Sequence, residues 1–191
     1  MSAFSKFTQP LSRLRGRMSR FASDAKGTAS VEFVIIAPFF IAIFLGLAAA
    51  AQGQNMSTKV AQVAATVSDV ISQAPALSKA QIDAAMKAGE AIAGANDANN
   101  IEIVVAGVIV NNNGTTQVAW ARGVNSNSIP TVGAPYTLPP DLTSESGFVV
   151  AAKTAYTYVP NVGTAFVPSF NLDSEFFYIP RVSTTTVCND C

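Results

Sequence analysis

Polar side chains disappear from this chain for a long early stretch: from Phe33 to Ala51, nineteen consecutive residues carry no charge and no strongly polar group. At about 1.5 Å per helical residue the run measures roughly 28 Å, the thickness of a bilayer's hydrocarbon core. The pattern predicts a transmembrane helix over residues 28–54. Pro38 lies early in the run, where it removes one backbone hydrogen bond and predicts a bend. Gly46 and the alanines after it offer a smooth surface on which another helix can pack closely.

Beyond the run the apolar positions become periodic. Met56, Val60, Val63, Val67, Val70 and Ile71 recur at helical spacing, with Lys59, Gln62, Ser68 and Asp69 elsewhere. That spacing predicts an amphipathic helix over 55–72. No breaker separates it from the apolar run, so the two are expected to form one stalk helix, ended by Pro75. Leu77-Ser78-Lys79-Ala80-Gln81-Ile82 reads as a second helix start, with Ser78 as N-cap, Gln81 completing a capping box, and Leu77 and Ile82 as a hydrophobic staple. This helix is expected to run to Ala93 and stop at Gly94.

From about residue 95 the composition shifts from alanine to β-branched, aromatic and asparagine residues. Ile101–Val110 predicts a strand, Asn111-Asn-Asn-Gly114 a hairpin turn, and Thr115–Gly123 the return strand. Val124–Gly147, rich in Pro, Gly and Ser, predicts a surface loop. Phe148–Val159 and Phe176–Val187 predict two further strands, joined by a loop from Pro160 to Glu175. Helices followed by a small antiparallel sheet make an α+β fold. The expected organisation is a basic leader (1–27), a membrane helix (28–54), a helical stalk to residue 94, and a β-rich domain over 95–191.

Charge orients the span. Lys6, Arg13, Arg15, Arg17, Arg20 and Lys26 face one acid, Asp24, so residues 1–26 carry +5; the other six bases and eleven acids give the remainder −5, and the zero net charge conceals a dipolar chain. Basic residues beside a span stay on the cytoplasmic side, which sends the chain after Ala51 across the membrane. The leader can also touch anionic lipid, whereas a nucleic-acid role lacks the accompanying aromatic or recognition-helix pattern. Two alternatives stay open at this point: a cleaved secretory signal ending near Ala48–Ala51, and a buried helix of a soluble protein.

The inventory of chemistry is sparse. The chain has no histidine, which removes His-based triads and His-ligated metals. It has no phosphate-cradling glycine motif, and Asp141 and Glu145 read as a solvated loop pair. An enzyme is not expected, nor is a cofactor or a metal. Cys188 and Cys191 form one Cys-Asn-Asp-Cys unit, a poor zinc site without a second pair; in an oxidising compartment a small disulfide loop is the simplest outcome, with free or intermolecularly bonded thiols as the alternative. Glu32 stands at the start of the apolar run, where a carboxylate is costly without a partner and is a functional candidate.

Gly27, four residues, then Glu32 and Phe33 resemble the processing site of type IV prepilins and pseudopilins. The longer string Gly27-Thr-Ala-Ser-Val31-Glu32-Phe33-Val34-Ile-Ile-Ala-Pro38 is similar to the TadE/TadG-like family, pseudopilin-like proteins of the tight-adherence (Flp pilus) assembly system. The resemblance covers about residues 24–65; processed members of the family often have tyrosine where Phe33 stands. It implies a prepilin peptidase cutting after Gly27, and a docking role for Glu32, Phe33 and Pro38, in which Glu32 pairs with the α-amino group of a neighbouring subunit. It further implies membrane lipid, pilin subunits and other assembly proteins as partners, and a bacterial inner-membrane location with a periplasmic C-terminal domain. Whether the protein enters the fibre is left open, and the alternative is a membrane-anchored periplasmic binding or adhesive domain.

Overall fold

A computed structural model describes residues 28–160 and 167–191 of the chain. Its first element is a single helix, α1 (Thr28–Ser72), of 45 residues with Pro38 inside it. After a two-residue strand, β1 (Ala76–Leu77), comes helix α2 (Lys79–Ala93). Strands β2 (Glu102–Val110), β3 (Thr116–Val124), β4 (Gly147–Tyr158) and β5 (Phe170–Tyr178) follow, and β6 (Val187–Cys188) closes the series. The described residues divide into two units at Leu47/Ala48.

Helix α2 starts where its sequence dictates. The Ser78 hydroxyl accepts from Gln81 N and the Gln81 side chain accepts from Ser78 N, so orphan amides at the helix start are satisfied reciprocally. Gly94 ends it with a φ of 105°, a conformation that side-chain-bearing residues rarely adopt.

Strands β2 to β5 form an antiparallel sheet in the order β3-β2-β4-β5. The β2–β3 hairpin turns at Asn111–Gly114, where Gly114 has a φ of 76° and Asn111 N donates to Thr115 O at 2.9 Å. A bulge shifts the register after Gly107, placing Ala119 and Trp120 on the same side of the sheet. On that side lies the main core. Met56, Val60, Val63, Val67 and Ile71 of α1 and Ile82 and Met86 of α2 pack on Ile103, Val105, Trp120, Phe148 and Val150. Small residues make the layers fit: a Cβ on Gly89 of α2 would lie 2.7 Å from Val67 Cγ2, and one on Gly107 would collide with the Trp120 indole. Arg122 of β3 grips both carboxylate oxygens of Asp83 of α2 at 2.8 and 2.9 Å.

The second face of the sheet is covered as well. Val108, Val110, Val118, Val149 and Ala151 pack with Leu138, Tyr136 and Leu142 from the β3–β4 connection. Thr116 Oγ1 donates to Tyr136 O, and the Tyr136 hydroxyl donates to Glu175 at 2.6 Å, which pins this connection across the sheet. It therefore serves as a third layer rather than the plain surface loop its composition predicts.

Three further expectations are corrected. The last long strand is Phe170–Tyr178, not Phe176–Val187; its polar residues suit an exposed edge, and Pro180 stops pairing soon after. The expected Pro160–Glu175 loop thus gives up its end to β5, and its residues 161–166 lie outside the described residues. Val70, expected on the packed face of α1, is 50% exposed, while Ala64 and Ser68 are buried; Ser68 is accommodated by donating to Ala64 O at 2.7 Å. Finally, Val187–Cys188 pairs with Ala76–Leu77 in a parallel ladder of its own, a contact between distant segments that local periodicity does not encode.

Candidate functional site

The described part of the predicted docking segment is helical throughout. Gly27, the expected processing position, and the basic leader lie outside the described residues. Glu32 is exposed on the first turns of α1, and Phe33 beside it is 70% exposed. Pro38 lacks the N–H that would bond Val34 O, so that carbonyl has no partner four residues on.

Around Glu32 the surface is almost wholly apolar. Val31, Phe33, Val34, Ile35, Phe39, Phe40, Ile41, Ile43, Phe44 and Leu47 are all at least half exposed. These positions occupy every side of the helix rather than one stripe. Water does not tolerate a continuous apolar surface of that extent on a soluble monomer, whereas hydrocarbon does, because every helical backbone group bonds within the segment. The helix is long and apolar enough to cross a membrane, and it lies near the N-terminus.

Where the apolar run ends, the domain's own packing begins. Ala49 is buried, and Tyr158 at the end of β4 brings its hydroxyl to 3.5 Å from both Ala49 O and Gln52 Oε1. Phe170 packs on Tyr158 with ring centroids 5.2 Å apart and planes tilted by 50°, and a Cβ on Gly53 would meet Phe170 Cζ at 2.9 Å. Glycine at 53 is thus what lets α1 lie against β5. Higher on the helix the buried Thr154 hydroxyl donates to Val60 O at 2.9 Å. Beside these contacts opens a polar cleft of about 480 Å³, which the sequence patterns do not single out; the signal present was only Lys59 on the polar side of α1.

The cysteines are joined to each other, with Cα atoms 5.6 Å apart. Their short loop is tied to the start of α2: Asp190 Oδ1 accepts from Lys79 N at 2.5 Å, and Asn189 N donates to Leu77 O at 3.1 Å. Asp190 therefore caps the positive end of a helix. Among the described residues, Cys188, Asp190 and Cys191 bring metal-ligand atom types within 4.8 Å, but disulfide sulfurs offer no thiolate to an ion. Next to this loop, Trp120 Nε1 donates to Thr186 O at 2.8 Å and Thr186 Oγ1 donates to Ala74 O at 3.1 Å, fastening the segment before the disulfide over the sheet.

Two tyrosines have perturbed hydroxyls. Burial, then the hydrogen bond to Asp97 and its charge, pushes Tyr156 up to about 12. Burial, then the hydrogen bond to Glu175, raises Tyr136 as well. Both stay neutral donors at physiological pH, which suits anchoring rather than proton transfer. Comparison of the chain with protein-family models, with curated proteins and with solved structures returns no match.

Proposed function

We propose that this chain is a single-pass inner-membrane protein that works as a minor pilin or pseudopilin-like component in assembling a Flp-type, tight-adherence pilus. The observation that carries the reading is a lone carboxylate, Glu32, five residues past Gly27 at the entrance of a helix whose apolar side chains are exposed on every side. Within hydrocarbon such a charge is costly until a cation reaches it. The amine exposed by cutting after Gly27 on a neighbouring subunit supplies that cation, and the pairing sets the register between two helices. Phe33 and Pro38 flank the pair as helix-packing and helix-bending elements. The +5 leader holds the N-terminus in the cytoplasm and directs the α+β domain to the periplasm. In this reading the partners are membrane lipid, a prepilin peptidase, pilin subunits and other membrane proteins of the assembly machinery.

N-terminal sequencing and pilus shearing test the proposal together. Mature protein should begin at Thr28. Gly27→Leu should accumulate as an inserted precursor, and Glu32→Ala should be processed and inserted yet leave cells without fibres. Normal piliation in the Glu32→Ala strain would overturn the docking role. Piliation unaffected by deletion of the whole gene would leave the rival reading, a membrane-anchored periplasmic binding or adhesive domain.

A further inference from the structure

The polar cleft lies beside Gln52, the first polar residue after the apolar run, and is lined by Asn55 and Lys59 of α1, by Tyr156 and Tyr158 of β4, and by Asp97 from the α2–β2 turn. Its charged groups are held in place. Lys59 Nζ donates to Ala93 O at 3.2 Å, at the carbonyl end of α2. Asp97 accepts from the Tyr156 hydroxyl at 2.7 Å. The ion pairs among the described residues are Arg122–Asp83 and Arg181–Asp69, so Lys59 and Asp97 are not neutralised by each other. One positive and one negative group thus line the same cleft, with carboxamides of Gln52 and Asn55 beside them.

Depth decides what can fill such a cleft. The chain leaves hydrocarbon at Ala51, and Lys59 follows Gln52 by about two helical turns, roughly 10 Å at 1.5 Å per residue. The headgroup zone on one side of a bilayer is about 5–8 Å deep, so Gln52 and Asn55 fall within it and Lys59 stands at its outer edge, where a long side chain reaches back. Tyr158, which lines the cleft, is of a residue type enriched in that zone.

We propose that this cleft is a binding site for one phospholipid headgroup bearing a phosphate and a primary ammonium, of the ethanolamine kind. Lys59, with the Gln52 and Asn55 amides, receives the phosphate as a cation and as hydrogen-bond donors. Asp97 accepts hydrogen bonds from the ammonium, and its second partner, the Tyr156 hydroxyl, keeps the carboxylate in place. A trimethylated ammonium has no N–H to give Asp97, and a glycerol headgroup has no cation, so both fit less well. This assignment rests on the reading of α1 as a membrane span.

The test uses the full chain, reconstituted in vesicles of phosphatidylethanolamine, phosphatidylcholine and phosphatidylglycerol in equal parts, then extracted into detergent for native mass spectrometry. The wild-type chain should retain one phosphatidylethanolamine. Asp97→Asn and Lys59→Gln should each lower its retention about tenfold, the equivalent of one charge-assisted hydrogen bond, with the unfolding temperature showing that both variants remain folded. Equal retention of the three lipids, or retention unchanged in both variants, would overturn the proposal. Displacement of the lipid by soluble phosphoethanolamine would assign the cleft to a free phosphoamine instead and overturn it too. Density flotation separates the two levels of failure: a chain that floats with vesicles but retains no ethanolamine lipid loses the headgroup site alone, whereas a chain that does not float loses the span and the site with it.

Discussion

The two halves of α1 contain similar side chains in opposite arrangements. Between Val31 and Leu47 the large apolar residues are exposed on all sides, with Phe44 70% exposed. Between Met56 and Ile71 all but Val70 keep to one stripe, with Val63 fully buried against α2 and the sheet. One continuous helix thus carries two different surfaces, the first of them long and apolar enough to cross a membrane. What differs is not apolar content alone but its angular distribution: a stripe seeks a protein core and a complete sleeve seeks lipid.

Charge insertion should break this comparison most sharply. Val63→Asp buries an unpaired carboxylate and should cost more than about 3 kcal/mol, enough to abolish cooperative unfolding of a marginally stable domain. Phe40→Asp should leave the domain's unfolding temperature unchanged while weakening membrane insertion by about 3–4 kcal/mol, the cost of the carboxylate plus the lost gain from the ring, read by carbonate extraction. A domain destabilised by the Phe40 change would show that the first half also packs on protein.

Glycine gives a subtler contrast. A methyl group at Gly89 would meet Val67 at 2.7 Å and Val63 at 3.0 Å, whereas one at Gly46 meets nothing within 4 Å. Gly89→Ala should therefore lower stability by about 1–3 kcal/mol in denaturant titration. Gly46→Ala should leave the domain unchanged and strengthen its own helix by about 1 kcal/mol.

The smallest effect is expected near the junction of the two halves, at Tyr156. Its hydroxyl is raised to about 12 by burial and then by Asp97, so the folded state holds the phenolic proton more tightly than the unfolded chain does. The resulting stability is fully present below the ordinary tyrosine value of about 10 and is lost as pH climbs from there to about 12. Denaturant midpoints of Tyr156→Phe should consequently fall less steeply over that window than those of the wild type. Tyr136, raised in the same direction, leaves part of the alkaline loss in place. Identical slopes would show that the Tyr156 hydroxyl is neither buried nor bonded to Asp97 in solution.

Local patterns disclosed the parts of this fold that local physics governs. The Val60-Val63-Val67-Ile71 spacing, the Ser78–Gln81 box and the Asn-rich turn before Gly114 are each decided by residues within a few positions. Val70 was misjudged because both it and Ala64 fit a helical period, and only the position of α2 and the sheet decides which of them turns inward. β5 was misplaced because an edge strand needs no strict alternation, and Asn171, Asp173 and Glu175 read as loop. The layer over the second sheet face was missed for a related reason: Tyr136, Leu138 and Leu142 are too widely spaced among prolines and glycines to register as core. At the candidate site, Glu32 and the disulfide pair were visible as residue types at telling positions. Asp97, Tyr156 and the cap by Asp190 were not, since each acquires its role from a partner far along the chain.

The pairing of β1 with β6 also sets an order of events. It is reinforced by the bond between Lys79 and Asp190, residues 111 positions apart. Closing so long a loop costs more entropy than forming the adjacent β2–β3 hairpin or the capped start of α2. Those nearby elements should be first to form, at rates set by short-range contacts. The clasp should snap shut only after residues up to Asp190 have emerged and the sheet is already in place. In the proposed membrane-anchored reading, α1 would hold the growing chain at the bilayer surface, making the final step a tethered search rather than a free one.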